Sequence, residues 1–201
     1  STLICEEVID EIARDAGCYQ QVSSITESAM RGELDFSQSL IQRVRCLKGL
    51  NEKKLVEITK RLTLSPGAKL LLQQLHKWNI KTAILSGGFD FFAKKIAQQL
   101  GIDIIVANQL EIRNGILTGE VLGDIVDSEI KASKLIEIAQ QYGIDLSKTA
   151  AVGDGANDLK VLSQAGLGIA WHAKSTVAKE ADLAINFLGL DSIGWIWEGS
   201  L

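Results

Sequence analysis

Apolar residues change their spacing about a third of the way along the chain. Up to residue 63 they recur at helical intervals. Val8, Ile12 and Ala16 share one face, and Leu40, Val44 and Leu47 share another after a break at Gly32. "NEKKLVEITKRL" (51–62) is a third helical stretch, and nothing in residues 4–63 alternates like a strand. Beyond residue 64, short apolar runs alternate with amphipathic stretches. Ser65 is placed to cap a helix that starts at Pro66 and turns Ala68, Leu71, Leu72, Leu75 and Trp78 to one side. "KTAILSGG" reads as a strand, "FDFFAKKIAQQLG" as a helix stopped by Gly101, and "IDIIVAN" as the next strand. Asn114-Gly115 sits between alternating residues and predicts a β-hairpin in "LEIRNGILTGEV". A helix follows in "SEIKASKLIEIAQQYG", with Leu135, Ile138, Ala139 and Tyr142 on its packed face. "TAAVGD", "LGIAW" and "LAINF" then read as strands separated by the helices "NDLKVLSQAG" and "STVAKEA". Strands that alternate with helices predict an α/β fold with a parallel sheet covered on both faces.

Composition narrows the partners. The 201 residues are 46% hydrophobic and 23% charged, as in an ordinary soluble globular protein. A formal net charge of −4 opposes any broad attraction to nucleic acid or to an anionic membrane. Cys5, Cys18 and Cys46 are an odd set without a Cys-x-x-Cys, which suits reduced thiols in a cytoplasmic protein. No apolar run approaches the ~18 residues of a membrane span, and no basic-then-apolar leader opens the sequence.

Three polar clusters fall where an α/β sheet binds its ligands, beyond the carboxyl ends of the strands. Ser86-Gly87-Gly88 ends one strand and opens a helix. Asp154 and Asp158 lie in "GDGAND" after another. Lys131 stands in the first turns of the helix that begins near Ser128. A hydroxyl, backbone donors, a cation and carboxylates suit a phosphate and a hard divalent ion. Each has a plain structural alternative: Ser86 as a helix cap, Lys131 as a surface lysine, Asp154-Gly155 as a positive-φ turn, Asp158 as a charge on a helix dipole. Their convergence at one sheet edge favours chemistry. His76 and His172 have no partners at metal or triad spacing, and the Trp195–Trp197 pair reads as packing.

The segments "STLICEEVIDEIA", "AMRGELDFSQSLIQRVRCLKGL", "ILSGGFDFF", "NGILTGEV" and "VGDGANDLKVLSQAGLGIAWHAK" occur in an order that resembles the phosphoserine phosphatases of the haloacid dehalogenase superfamily. The resemblance implies a Rossmann-like core made of residues 1–3 and 64–201, with residues 4–63 inserted as a helical cap. It implies that Ser86 and the Gly87 amide hold phosphoryl oxygens and that Lys131 neutralises their charge. Asp154 would ligate magnesium (Mg2+), Asp158 would support the metal from behind, and Asn157 would lie beside the phosphate. In the cap, Glu7 would meet the substrate's amino group and Arg43 its carboxylate, with Met30 and Phe36 closing over the site. The implied partner is the small molecule O-phosphoserine, with serine biosynthesis as the context; a homodimer is compatible with this.

The family's nucleophile lies in Asp-x-Asp-Ser-Thr, and the sequence opens at the Ser-Thr, as Ser1-Thr2. Both aspartates and their strand are therefore expected to lie ahead of Ser1. Two alternatives stay open: a phosphatase for another small phosphomonoester, and a catalytically dead ligand-binding module.

Overall fold

The structure is a computed structural model that describes residues 1–198. The helical third comprises α1 (Val8–Asp15), α2 (Tyr19–Met30), α3 (Phe36–Cys46) and α4 (Lys53–Arg61). The first predicted helix is thus two. Gly17, at φ +72°, stops α1, and the Cys18 amide turns back to the Ala13 carbonyl at 2.9 Å. Asp35 and Gln38 form a reciprocal capping box that fixes the start of α3. Ile12, Val22, Leu40, Val44, Leu47, Leu55 and Ile58 are buried together inside this module. Residues 3–5 and 63–65 run antiparallel as its stem. Ile4 bridges Leu64, the Cys5 amide donates to Thr63 O, and the Ser65 amide donates to Leu3 O.

The next helix, α5 (Ala68–Lys77), begins two residues later than the sequence suggested, after Gly67 rather than at Pro66. Gly67 has φ +80°, and a Cβ there would lie 2.0 Å from Asp191 Oδ1. The crossing of the chain at Asp191 sets the helix start, and Ser65 lies ahead of it in the turn. Strand β1 (Ala83–Phe89) follows, then α6 (Asp90–Leu100) and β2 (Ile104–Arg113). The predicted strand "IDIIVAN" and the first arm of the hairpin are one continuous strand. Its first half pairs parallel with β1 and its second half antiparallel with β3 (Ile116–Leu122). The remainder is α7 (Ser128–Gln141), β4 (Ala150–Gly153), α8 (Leu159–Gln164), β5 (Leu167–Trp171), α9 (Ser175–Glu180), β6 (Leu183–Ile185) and α10 (Ser192–Glu198).

The strands form two sheets rather than one, β1-β2-β3 and β4-β5-β6. Ile84 of β1 and Ile169 of β5 belong to the same apolar core, so the two sheets flank a common interior. Among the described residues no strand pairs with the free edges of β1 and β4, and Ala83 and Ala150 on those strands are exposed. Two other expectations of packing fail. Tyr142 is 42% exposed beyond the end of α7, and Trp195 is 61% exposed. The side chain of Trp197 lies outside the described residues.

At the base of the first sheet, Asp103 accepts from the Thr82 amide and hydroxyl and from Lys81 Nζ, each at 2.9 Å. Partial burial would raise its carboxyl; the Thr82 and Lys81 donors outweigh that and hold the pKa at about 2. A depressed folded pKa stabilises above the unfolded value, and that stability is lost as pH falls toward the folded one. Asp103→Asn should therefore destabilise at about pH 7 and progressively less toward about pH 2, as urea unfolding across that range would measure.

Candidate functional site

The end of β1 is irregular. Ser86 pairs with Ala107, but Phe89 pairs with Asn108, so Gly87 and Gly88 are lifted out of the ladder. Ser86 Oγ accepts from the Gly88 amide at 3.0 Å and tightens the turn. Gly87 is required by close approach. A Cβ there would stand 2.6 Å from Cζ of Phe36, which lays its ring from α3 onto the turn. The helical module therefore touches the core at this turn. Met30, at the end of α2, is 69% exposed, so most of its surface is bare.

The second cluster is built on β4. Asp158 Oδ2 accepts from the amides of Asp154 (3.2 Å) and Gly155 (3.1 Å), and its Oδ1 accepts from Lys131 Nζ at 2.7 Å. Gly155 has φ −119°, so "GDG" is not a positive-φ turn. The glycines make room instead. A Cβ on Gly153 would lie 2.5 Å from Asp158 Cβ, and one on Gly155 would lie 2.4 Å from Asn157 Oδ1. Lys131 is not a surface lysine, being 3% exposed, and its ammonium ends on Asp158. Asp127 caps α7 by accepting from the Glu129 and Ile130 amides, which fixes the turn that carries Lys131.

Asp154 faces the first residues of the chain. Its Oδ1 accepts from Thr2 Oγ1 at 3.0 Å and its Oδ2 from the Ser1 ammonium at 2.9 Å; the same ammonium donates to Glu7 Oε1 at 2.7 Å. Glu7 and Asp154 thus converge on the Ser1 nitrogen. Arg43 is half-buried on α3, with Nε on the Ser39 carbonyl at 3.3 Å. Burial lowers its pKa against the opposing charges of Asp10 and Glu7. The Asp10 carboxyl is raised by burial and by Glu7, against Arg14 and Arg43. Glu7, Asp10 and Arg43 therefore form one mixed-charge group that spans α1 and α3.

The sequence left Asn108 and Asp10 unremarked. An Asn at the end of the apolar run "IDIIVAN" was the available signal for the first. The histidines are structural: His76 Nε2 pairs with Gly101 O and His172 Nε2 with Leu188 O, each at 3.0 Å. Among the described residues no group of three or more His, Cys, Asp or Glu could hold a metal. Asp158 has committed both oxygens to Lys131 and two amides, which leaves Asp154 as a lone carboxylate. These residues do not make a magnesium site by themselves.

The Lys131–Asp158 pair is buried, with side chains 4% and 13% exposed. Breaking such a pair strands a charge, so Lys131→Ala should lose about 3 kcal/mol of unfolding free energy. Lys131→Met combined with Asp158→Asn should lose less than the two single changes added together, because the stranded charge is gone. Urea unfolding of the wild type, Lys131→Ala, Lys131→Met, Asp158→Asn and the double variant measures both.

The model of the haloacid dehalogenase-like hydrolases matches residues 1–163. The chain is 50% identical over 186 residues to a phosphoserine phosphatase of Idiomarina loihiensis, covering 92% of this chain and 84% of that protein. It is 48% identical over 193 residues to a phosphoserine phosphatase of Haemophilus influenzae, covering 96% of this chain but 62% of that protein. A solved substrate-bound phosphoserine phosphatase complex superposes with a TM-score of 0.90 at 43% identity, covering 96% of this chain and 92% of that one. No helix among the described residues is long and apolar enough to cross a membrane. With the strand–helix order, the buried Lys131–Asp158 pair and the glycine turn at Ser86 all within the matched span, the chain belongs to the haloacid dehalogenase-like hydrolases.

Proposed function

We propose that the protein hydrolyses O-phosphoserine to serine and phosphate. The observations that support this are the buried Lys131–Asp158 pair at the end of β4 and the glycine turn at Gly87 that Phe36 of the module touches. On this reading Ser86, Gly87, Lys131 and Asn157 would form a phosphate end, and Glu7 and Arg43 an amino-acid end. On this reading the Glu7 carboxylate would meet the amino group of the substrate. A guanidinium beside it suits a carboxylate, and together they select a zwitterion. The relatives named above are phosphoserine phosphatases, which supports the same substrate.

Phosphoryl transfer depends on in-line positioning and on neutralising the equatorial oxygens. Ser86 Oγ and the Gly87 amide would bind those oxygens, and Lys131 would stabilise the charge that builds on them. Asp158 holds the lysine in place. A ring laid on the turn excludes water and strengthens these contacts.

On this reading the nucleophile and acid/base carboxylates would come from a strand that pairs with the free edges of β1 and β4. A carboxylate oxygen attacks phosphorus, the bond to the serine oxygen breaks, and the second carboxylic acid protonates the departing alkoxide. That group, now a base, then takes a proton from water, whose oxygen attacks phosphorus and releases phosphate and the free carboxylate. Magnesium enters only with that strand: its carboxylate and Asp154 would share the ion. On this reading the enzyme ends serine biosynthesis in the cytoplasm, and a homodimer is compatible with it.

The test is a split between substrates in the full-length protein. Glu7→Gln and Arg43→Ala should each raise KM for O-phosphoserine by about tenfold or more, the order expected for losing one charged contact. The same changes should leave KM for a phosphate ester without amino or carboxyl groups nearly unchanged. Equal effects on both esters would remove the amino-acid assignment and favour another small phosphomonoester.

A further inference from the structure

We infer that Asn108 is a positioning residue that holds the phosphate-binding turn in register with the helix carrying Lys131. The side chain is 1% exposed and spans two elements. Its Nδ2 donates to the Gly87 carbonyl at 2.8 Å, and its Oδ1 accepts from the Val126 amide at 2.8 Å. Only an amide has a donor and an acceptor so placed, and each neighbour dictates which end faces it.

The two anchor points are the ones the site depends on. Gly87 lies in the stretch where the β1–β2 ladder slips, between Ser86 and Phe89, so backbone pairing does not fix its position there. Val126 precedes Asp127, which caps α7 and whose carbonyl accepts from the Lys131 amide at 3.0 Å. Lys131 then reaches Asp158, and Asp158 holds the amides of Asp154 and Gly155. A continuous hydrogen-bonded path therefore runs from Gly87 through Asn108, Val126, Asp127 and Lys131 to the end of β4. Asn108 is the one side chain in that path that joins the glycine turn to the lysine helix. It touches neither phosphate nor the reacting atoms; it sets the spacing between groups that do.

This inference rests on the phosphate site proposed above, and its test separates the two. In the full-length protein, Asn108→Asp keeps the acceptor for Val126 but turns a carboxylate oxygen toward the Gly87 carbonyl. Asn108→Ser is too short to span both groups and serves if the first variant does not fold. Either change should lower kcat on O-phosphoserine by about 10- to 100-fold, the order expected for an ångström of misplacement. Calorimetry should show inorganic phosphate binding weakened about tenfold or more and L-serine binding nearly unchanged, since Glu7 and Arg43 lie on other elements. In the wild type, titration with inorganic phosphate should shift the side-chain amide resonances of Asn108. Unchanged phosphate affinity in a folded variant, serine and phosphate affinities falling in parallel, or Asn108 resonances unmoved at saturation would each overturn the inference. A wild type that binds phosphate without hydrolysing O-phosphoserine would remove the substrate assignment and leave this inference to the phosphate measurements. A wild type that binds no phosphate would overturn both.

Discussion

The site depends on one buried ion pair. Lys131 comes from the second turn of α7 and Asp158 from the loop after β4, and the two meet at 2.7 Å with almost no exposure. Taking two charges out of water is costly, and the attraction repays it only when their remaining hydrogen-bonding capacity is used. Here the second oxygen of Asp158 is filled by the amides of Asp154 and Gly155. The aspartate is therefore a backbone organiser as well as a counterion. It turns the Asp154 carboxylate outward toward Ser1 and Thr2 and fixes how close α7 comes to the sheet.

Around this pair, glycines set distances. Gly153 lets Asp158 fold back on its own strand, and Gly87 lets Phe36 rest on the turn after Ser86. Both are places where an added methyl would collide with a side chain the site needs. The contact of Phe36 with Gly87 also links the helical module to the core away from its stem at residues 3–5 and 63–65. The module also shares an apolar core with Phe89, Phe92, Leu110 and Leu117, and its 49–52 segment hydrogen-bonds Gly115 and Leu117 of the hairpin, so the hairpin and the module form one packed unit.

Much of this was legible in the sequence because it is local. Helical spacing, the Asn114-Gly115 hairpin, the Gly101 stop and the strand–helix alternation all follow from short-range rules, and the clusters at Ser86 and Asp154 fall toward the carboxyl ends of strands, with Lys131 near the start of a helix. What escaped is non-local. The helix start at Gly67 is set by Asp191, more than a hundred residues away. The division of the strands into two sheets reflects pairing, which periodicity does not encode. Lys131 was legible as a site residue by its place near the start of α7, but its burial depends on Asp158, in the loop after β4 and 27 residues further on. Asn108 looked like the end of a strand, whereas its amide stands in for backbone pairs that the slip at Gly87 removes. Gly17 was readable as a helix stop and was overrun by the apolar spacing on either side of it.

The account's central claim is that Lys131, held by Asp158, carries charge stabilisation for phosphoryl transfer from O-phosphoserine. The most direct measurement is phosphate release from O-phosphoserine by the full-length protein and by Lys131→Met, at a temperature where circular dichroism shows both folded. The account predicts turnover in the wild type and a loss of about 100-fold or more in the variant, the scale of one preorganised charge in a transition state. Turnover by a folded Lys131→Met protein at the wild-type rate would contradict it.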